Sequence, residues 1–285
     1  MSNPNRSIDK THLSADTAEH RQIIHRDLIS HCLRWSHVAK YLHQNQRYKD
    51  SHILDIGCGR EQPLAKMLYS NRLVPSNGSY TGVDYNKLTL EPMLEAAAKR
   101  FPIILVGEKA FPDCELERTS YDIITCFEVL EHVQPLGSYR ILEGIEKLLS
   151  DDGTAFISTP NYDEETGAAA NHINELKYAT TELLIKKAGL EINERFGTFA
   201  SIKDYKECIK QDGLQELFDR LRAYYDSNYL ATIFAPLYPS NARNVLWRVK
   251  KARTKELFEL PKFKELPQPL SSSTKWQPLF DYVGE

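Results

Sequence analysis

The chain has 285 residues, 41% of them hydrophobic and 26% charged, a balance that supports an ordinary globular core. Its formal net charge of -3 supplies no global basic field to draw it toward nucleic acid or membrane, which leaves only a local patch for such contacts. The five cysteines, Cys32, Cys58, Cys114, Cys126 and Cys208, are odd in number, widely spaced and without a CxxC pair, which argues against a disulfide framework or a zinc cluster.

The polar start "MSNPNRSIDKTHLSADT" lacks the apolar centre of a signal peptide. No apolar run approaches the ~20 residues of a membrane helix, so a cytoplasmic protein with no membrane partner is expected. Residues 1–16 read as a disordered start, 17–253 as one folded domain, and 254–285, rich in proline and serine, as an extended tail. Between Thr17 and Gln46, Ile24, Leu28, Cys32, Trp35, Val38 and Leu42 recur at helical spacing and predict a helical cover. His25, His31, His37 and His43 of that stretch fall six residues apart, about 240° on a helical wheel, and so scatter around the helix rather than form a metal site.

Strands then alternate with helices. "HILDIG" (52–57), "YTGVDY" (80–85), "IILVG" (103–107), "YDIITCFE" (121–128) and "TAFISTP" (154–160) read as strands. Helices are expected through Leu64 and Leu68 behind Pro63, and over 90–101, 140–149 and 180–189. "LEINERFGTFA" (190–200) returns as a strand, 201–241 is a helical, aromatic-rich insertion, and "NVLWRVKK" (244–251) is a last, antiparallel strand. This order implies an α/β fold, a Rossmann-like doubly wound and mostly parallel sheet.

"LDIGCGREQP" (54–63) places Gly57 and Gly59 between the first strand and its helix, where backbone can approach a ligand closely. A dinucleotide fingerprint would need a third glycine at Gln62, so a pyrophosphate ligand is disfavoured, and with it a nicotinamide oxidoreductase. Asp55 ends the first strand and Asp84 the second, where a carboxylate accepts ribose hydroxyls. A ribose without pyrophosphate, joined to a charged amino-acid portion, describes S-adenosylmethionine.

"ILDIGCG", "YTGVDY", "YDIITCFEVLEHV", "LLSDDGTAFISTPN" and "TELLIKKAGLEI" together resemble the ordered motifs of class I S-adenosylmethionine-dependent methyltransferases, in the branch with the ubiquinone-biosynthesis O-methyltransferases. The resemblance spans about residues 50–200 and departs from the family pattern at Glu61, where a third glycine is usual. It implies that Gly57 and Gly59 pack against the methionine portion, that Asp55 orients its ammonium directly or through water, and that Asp84 takes the ribose hydroxyls. It places Glu108 near the adenine amino group and Phe127 beside the methionine. Later segments, including "GAAANHINE" and "NARNVLW", are similar to predicted methyltransferases of tailed phages.

For the acceptor, "EVLEH" read as a helical turn puts Glu128, Glu131 and His132 on one face. His132 is a candidate general base with Glu131 and His172 beside it, or else a hydrogen-bonding residue of the fold. Glu128, Glu131, His132 and His172 are also an alternative set for Mg²⁺ or Mn²⁺, resembling the metal ligands of small-RNA 2′-O-methyltransferases. Arg243 is the candidate anchor for an anionic substrate group and Tyr205 one of several aromatics that could stack on a planar acceptor. The expected activity is methyl transfer to an oxygen or nitrogen of a small or nucleotide-like acceptor. The alternatives are a metal-assisted RNA or other nucleic-acid methyltransferase and a non-catalytic S-adenosylmethionine-binding module.

Overall fold

A computed structural model describes residues 26–46, 48–163, 167–169, 171–199, 202–225, 227–253, 262–263 and 280–281. The expected disordered start and the first turns of the cover lie outside these residues. Five strands are parallel, β1 (His52–Ile56), β2 (Ser79–Val83), β3 (Ile103–Val106), β4 (Tyr121–Phe127) and β5 (Leu149–Pro160), in the order β3-β2-β1-β4-β5. β7 (Asn244–Lys251) is antiparallel and lies between β5 and β6 (Leu190–Phe199). Parallel strands covered on both faces carry apolar residues without alternation. β2 accordingly is buried at every position, and β1 at all but His52.

The helices are α1 (Arg26–Asn45), α2 (Pro63–Ser70), α3 (Pro92–Ala98), α4 (Pro135–Leu148) and α5 (Tyr178–Lys187). Pro63, Pro92 and Pro135 each open a helix, where the missing N–H costs nothing and φ is already helical. α4 therefore starts at Pro135 rather than at the expected Arg140, and β5 begins at Leu149 rather than Thr154 through an irregular pairing with Tyr121.

One core holds Leu54, Ile56, Ile124, Ile145, Ile157 and Trp247 between the sheet and α4 and α5. On the opposite face Val38 and Leu42 of α1 join Ile53, Leu64, Leu68, Phe156 and Leu246. Each such side chain contributes about 1.5–3 kcal/mol by leaving water. α1 departs from expectation in one respect: Cys32 is exposed, and the buried stripe runs Ser30, Arg34, Val38, Leu42 at intervals of one helical turn. Its apolar end lies deep on the sheet and its polar end reaches the carboxyl edge of β4.

The insertion forms three short helices, α6 (Ile202–Gln211), α7 (Gln215–Leu221) and α8 (Ser227–Phe234), around Ile209, Phe218, Leu230 and Phe234. It is seated tightly on β6, because a Cβ at Gly197 would stand 2.1 Å from Ala235 O. In the stretch expected as an extended tail, the described residues Lys262–Phe263 and Phe280–Asp281 pair as a two-stranded ladder. No helix among the described residues is long and apolar enough to cross a membrane.

Candidate active site

Strand order reverses between β1 and β4, and in an open α/β sheet the crevice outside the carboxyl ends at such a point is where ligands bind. The loops after β1 and β4 touch there: a Cβ on Gly57 would meet Val129 Cγ2 at 2.4 Å. Gly57 and Gly59 have φ of 71° and 70°, a left-handed conformation that costs a side-chain-bearing residue roughly 1–2 kcal/mol. Gln62, Glu108 and Glu128 also have positive φ, at 42°, 57° and 56°. All three follow strands at this one edge, and strain of this kind gathers at functional sites.

Gln62 resolves the missing third glycine. The backbone keeps the left-handed turn that a glycine would favour, and the side chain, fully buried, ties the loop to the segment after β2. Its Nε2 donates to Arg60 O and, at 3.1 Å, to Thr89 O, while its Oε1 accepts the Glu91 N–H at 3.0 Å. Sequence reasoning passed over Gln62 as a mere absence of glycine; its position in the glycine pattern was the signal.

Both oxygens of Asp55 are engaged by the neighbouring strands, Oδ1 by Thr125 Oγ1 and Oδ2 by Tyr80 Oη, each at 2.6 Å. Burial raises its pKa to about 6 against these hydrogen bonds. Asp84 is half-buried and holds the glycine loop closed: its Oδ2 accepts the Gly59 N–H at 2.9 Å, and its Oδ1 accepts the Asn86 N–H and side-chain amide at 2.8 and 2.9 Å. Glu108 is exposed, with its N–H on Asn86 O at 3.0 Å, so it stands next to the Asp84 loop. Phe127 packs partly buried against the core that includes α1.

The "EVLEH" stretch is not one helical turn. The left-handed backbone at Glu128 precedes a 3₁₀ turn at Leu130–His132 and sends its side chain elsewhere. Ser158 Oγ donates to Glu128 Oε1 at 2.8 Å, Asn244 Nδ2 donates to Oε2, and Arg34 Nη1 lies 3.5 Å from Oε1. Arg34 is 1% exposed and also contacts His31, whose imidazole burial keeps neutral. The shared face expected for Glu128 with Glu131 and His132 is therefore corrected. Arg34 and Asn244, which hold that carboxylate, were not foreseen.

Glu131, His132 and His172 do come together, with one ligand atom from each all within 4.8 Å of one another. Glu131 is fully buried; Thr159 Oγ1 donates to its Oε2 at 3.1 Å, and its Oε1 has no hydrogen-bond partner. Burial, with the charge of Glu128, pushes its pKa well up. His132 Nδ1 lies 3.2 Å from Asn171 O, and His172 Nδ1 contacts Glu175 Oε1. A carbonyl or carboxylate oxygen only accepts, so each Nδ1 carries a proton and each Nε2 is the position left for a lone pair. His132 Nε2 stands 3.8 Å from Glu131 Oε1, and the two rings meet edge-on at 4.9 Å. Burial, together with His172, lowers the His132 pKa to about 4.

Arg243 is at the mouth, paired with Asp163 at 2.9 Å. The side chain of Tyr205 lies outside the described residues. In the insertion, Phe234 belongs to its small core, whereas Tyr224 and Tyr225 are exposed. A cavity of about 430 Å³ lies at the opposite, amino edge of the sheet. Of its four carboxylates, Asp50, Asp122 and Asp151 are engaged by the chain itself.

Against known proteins, a family profile described as a methyltransferase domain matches residues 18–217. The ubiquinone biosynthesis O-methyltransferase of Coxiella burnetii is 30% identical over 122 residues, 43% of this chain and 49% of that protein. The enzyme of the same name from Hydrogenovibrio crunogenus is 26% identical over 212 residues, 67% of this chain and 78% of its own. The chain thus spans about half the length of the first of these relatives. The 1,6-didemethyltoxoflavin-N1-methyltransferase of Burkholderia thailandensis, solved with S-adenosylhomocysteine, is 16% identical with a TM-score of 0.49, over 83% of this chain and 85% of that one.

Proposed function

The chain belongs to the methyltransferase-domain family, and from that premise we propose that it transfers the methyl group of S-adenosylmethionine to an oxygen or nitrogen of a small or nucleotide-like acceptor. The observation that carries this reading is the close approach of Gly57 to Val129, in the same loop after β4 that presents Glu131 and His132 beside His172.

The residues fit the donor. The glycine loop leaves no room for a Cβ at Gly57, so backbone alone faces the crevice. Asp84 Oδ2 accepts one hydrogen bond in the structure and keeps a second lone pair for a ribose hydroxyl. Asp55, shared between β2 and β4, holds the loop's root and acts on the ligand's charge at a distance. Glu108 and Phe127 flank the two ends of the donor's site. S-adenosylmethionine, when bound, supplies a methyl group activated by a sulfonium. His132 Nε2, unprotonated at neutral pH, takes the proton from the acceptor as the new bond forms, while Glu131 and His172 orient it. Alignment of donor and acceptor by the surrounding walls supplies most of the remaining rate. The helical insertion, whose first helix carries Tyr205, caps the acceptor side, with Arg243 on its approaches.

Glu131, His132 and His172 also fit Mg²⁺ or Mn²⁺: an unpartnered buried oxygen and two imidazole lone pairs converge, an N/O donor set suited to Mn²⁺ and, less closely, Mg²⁺. Such an ion would polarise the acceptor oxygen. Base and metal ligand are exclusive uses of His132 Nε2. Incubation with methyl-labelled S-adenosylmethionine and cell extract, with and without chelator, tests the proposal. Label in the small-molecule fraction is expected. Loss with chelator and return with Mn²⁺ would assign the metal, and label confined to RNA, DNA or protein would overturn the acceptor class.

A further inference from the structure

Glu175 closes the segment "GAAANHINE", is 9% exposed and spends one oxygen on two donors. Its Oε1 accepts from His172 Nδ1 and, at 3.0 Å, from the Ala169 N–H. The same loop returns the Ile173 and Asn174 N–H groups to Glu131 O at 2.7 and 2.9 Å. Asn174 Nδ2 then donates to Ser138 Oγ at 2.8 Å, and Ser138 Oγ in turn to Leu130 O at 2.8 Å. The loop is therefore a tray under the 3₁₀ turn, and among the described residues Glu175 is its one ionic contact that reaches a member of the cluster.

We propose that Glu175 is the positioning residue of the site: it fixes His172 in the Nδ1–H form, so that the Nε2 lone pair and the ring edge face His132 and Glu131. A neutral histidine free in water favours the proton on Nε2, which would turn a donor, not a lone pair, toward the cluster. A carboxylate on Nδ1 reverses that preference, as carboxylate partners of ligating or catalytic histidines do elsewhere. Because the His172 ring packs edge-on against His132 at 4.9 Å, its orientation sets that of the neighbouring ring as well. The inference rests on the proposed role of the cluster in methyl transfer, but its first readout does not need turnover.

Histidine-selective ¹⁵N labelling of chelator-treated protein, with His172 assigned from a His172→Asn spectrum, reads the tautomer directly. The expected result is Nδ1–H in the wild type and in Glu175→Gln, whose side-chain oxygen still accepts, and a shift toward Nε2–H in Glu175→Leu. Nε2–H in the wild type, or an unchanged tautomer in Glu175→Leu, overturns the proposal; if that variant does not fold, the wild-type and Glu175→Gln spectra still decide it. In the labelled-methyl assay, Glu175→Leu should lower the saturated rate at least tenfold with KM for S-adenosylmethionine within twofold, and Glu175→Gln should restore most of it. A defect in KM alone would make Glu175 a loop clamp only. If no protein transfers methyl, the functional reading fails while the tautomer still decides the role of Glu175.

Discussion

His132 carries its proton on Nδ1, where Asn171 O accepts it, and turns an unprotonated Nε2 toward Glu131. With its pKa lowered to about 4 the ring stays unprotonated throughout the physiological range, as a weaker base than an exposed imidazole. Replacing it with asparagine should lower the methyl-transfer rate by about 10²–10⁴, the usual contribution of a general base, with little change in the affinity for S-adenosylmethionine. A rate within threefold of wild type would remove His132 from the chemistry. Gln62 makes a second residue-scale test. Gln62→Gly keeps the left-handed turn but loses the bonds to Thr89 and Glu91, so a loss of about 1–3 kcal/mol is expected in denaturant unfolding. No loss would show that the turn alone matters.

Among elements, the insertion depends on how closely Ala235 approaches β6. Gly197→Ala would force a Cβ to 2.1 Å from Ala235 O, a clash with backbone that no rotamer relieves. The expected outcome is faster proteolysis within 202–241 with the sheet intact; an unchanged digestion pattern would contradict that seating. The strands and most helices were legible because buried parallel strands write continuous apolar runs and Pro63 marks a helix start, whereas the starts at Pro92 and Pro135 were placed at 90 and 140. The cover helix was legible only in part. A period of apolar residues locates the face that packs on the sheet, as at Val38 and Leu42, but not the polar continuation at Ser30 and Arg34 that runs to the carboxyl edge. Glu128 misled for a different reason. Its spacing from Glu131 and His132 suits a helix, and nothing in its residue type announces a φ of 56°, which arises from tertiary bonds to Ser158, Asn244 and Arg34.

For the molecule as a whole, half-buried histidines contribute to the response to acid. His37 and His132 have folded pKa values of about 4, below the value of 6.5 for an exposed ring. Between those pH values the unfolded chain binds protons that the folded chain refuses, so these groups add stability above pH 6.5 that is lost as pH falls toward 4. Asp55 and Glu131, with raised pKa values, act in the opposite sense. His37→Gln should therefore narrow the drop in Tm between pH 7 and pH 4.5, and an unchanged drop would place the acid sensitivity elsewhere. The switch point, the glycine loop and the two-histidine cluster converge on one edge of the sheet, and the central claim is that this edge takes S-adenosylmethionine. Calorimetric titration of the purified chain with S-adenosylmethionine tests it most directly. One site per chain, weakened at least tenfold in Asp84→Ala, is the predicted result; no heat of binding to folded protein, or binding indifferent to Asp84, would contradict it.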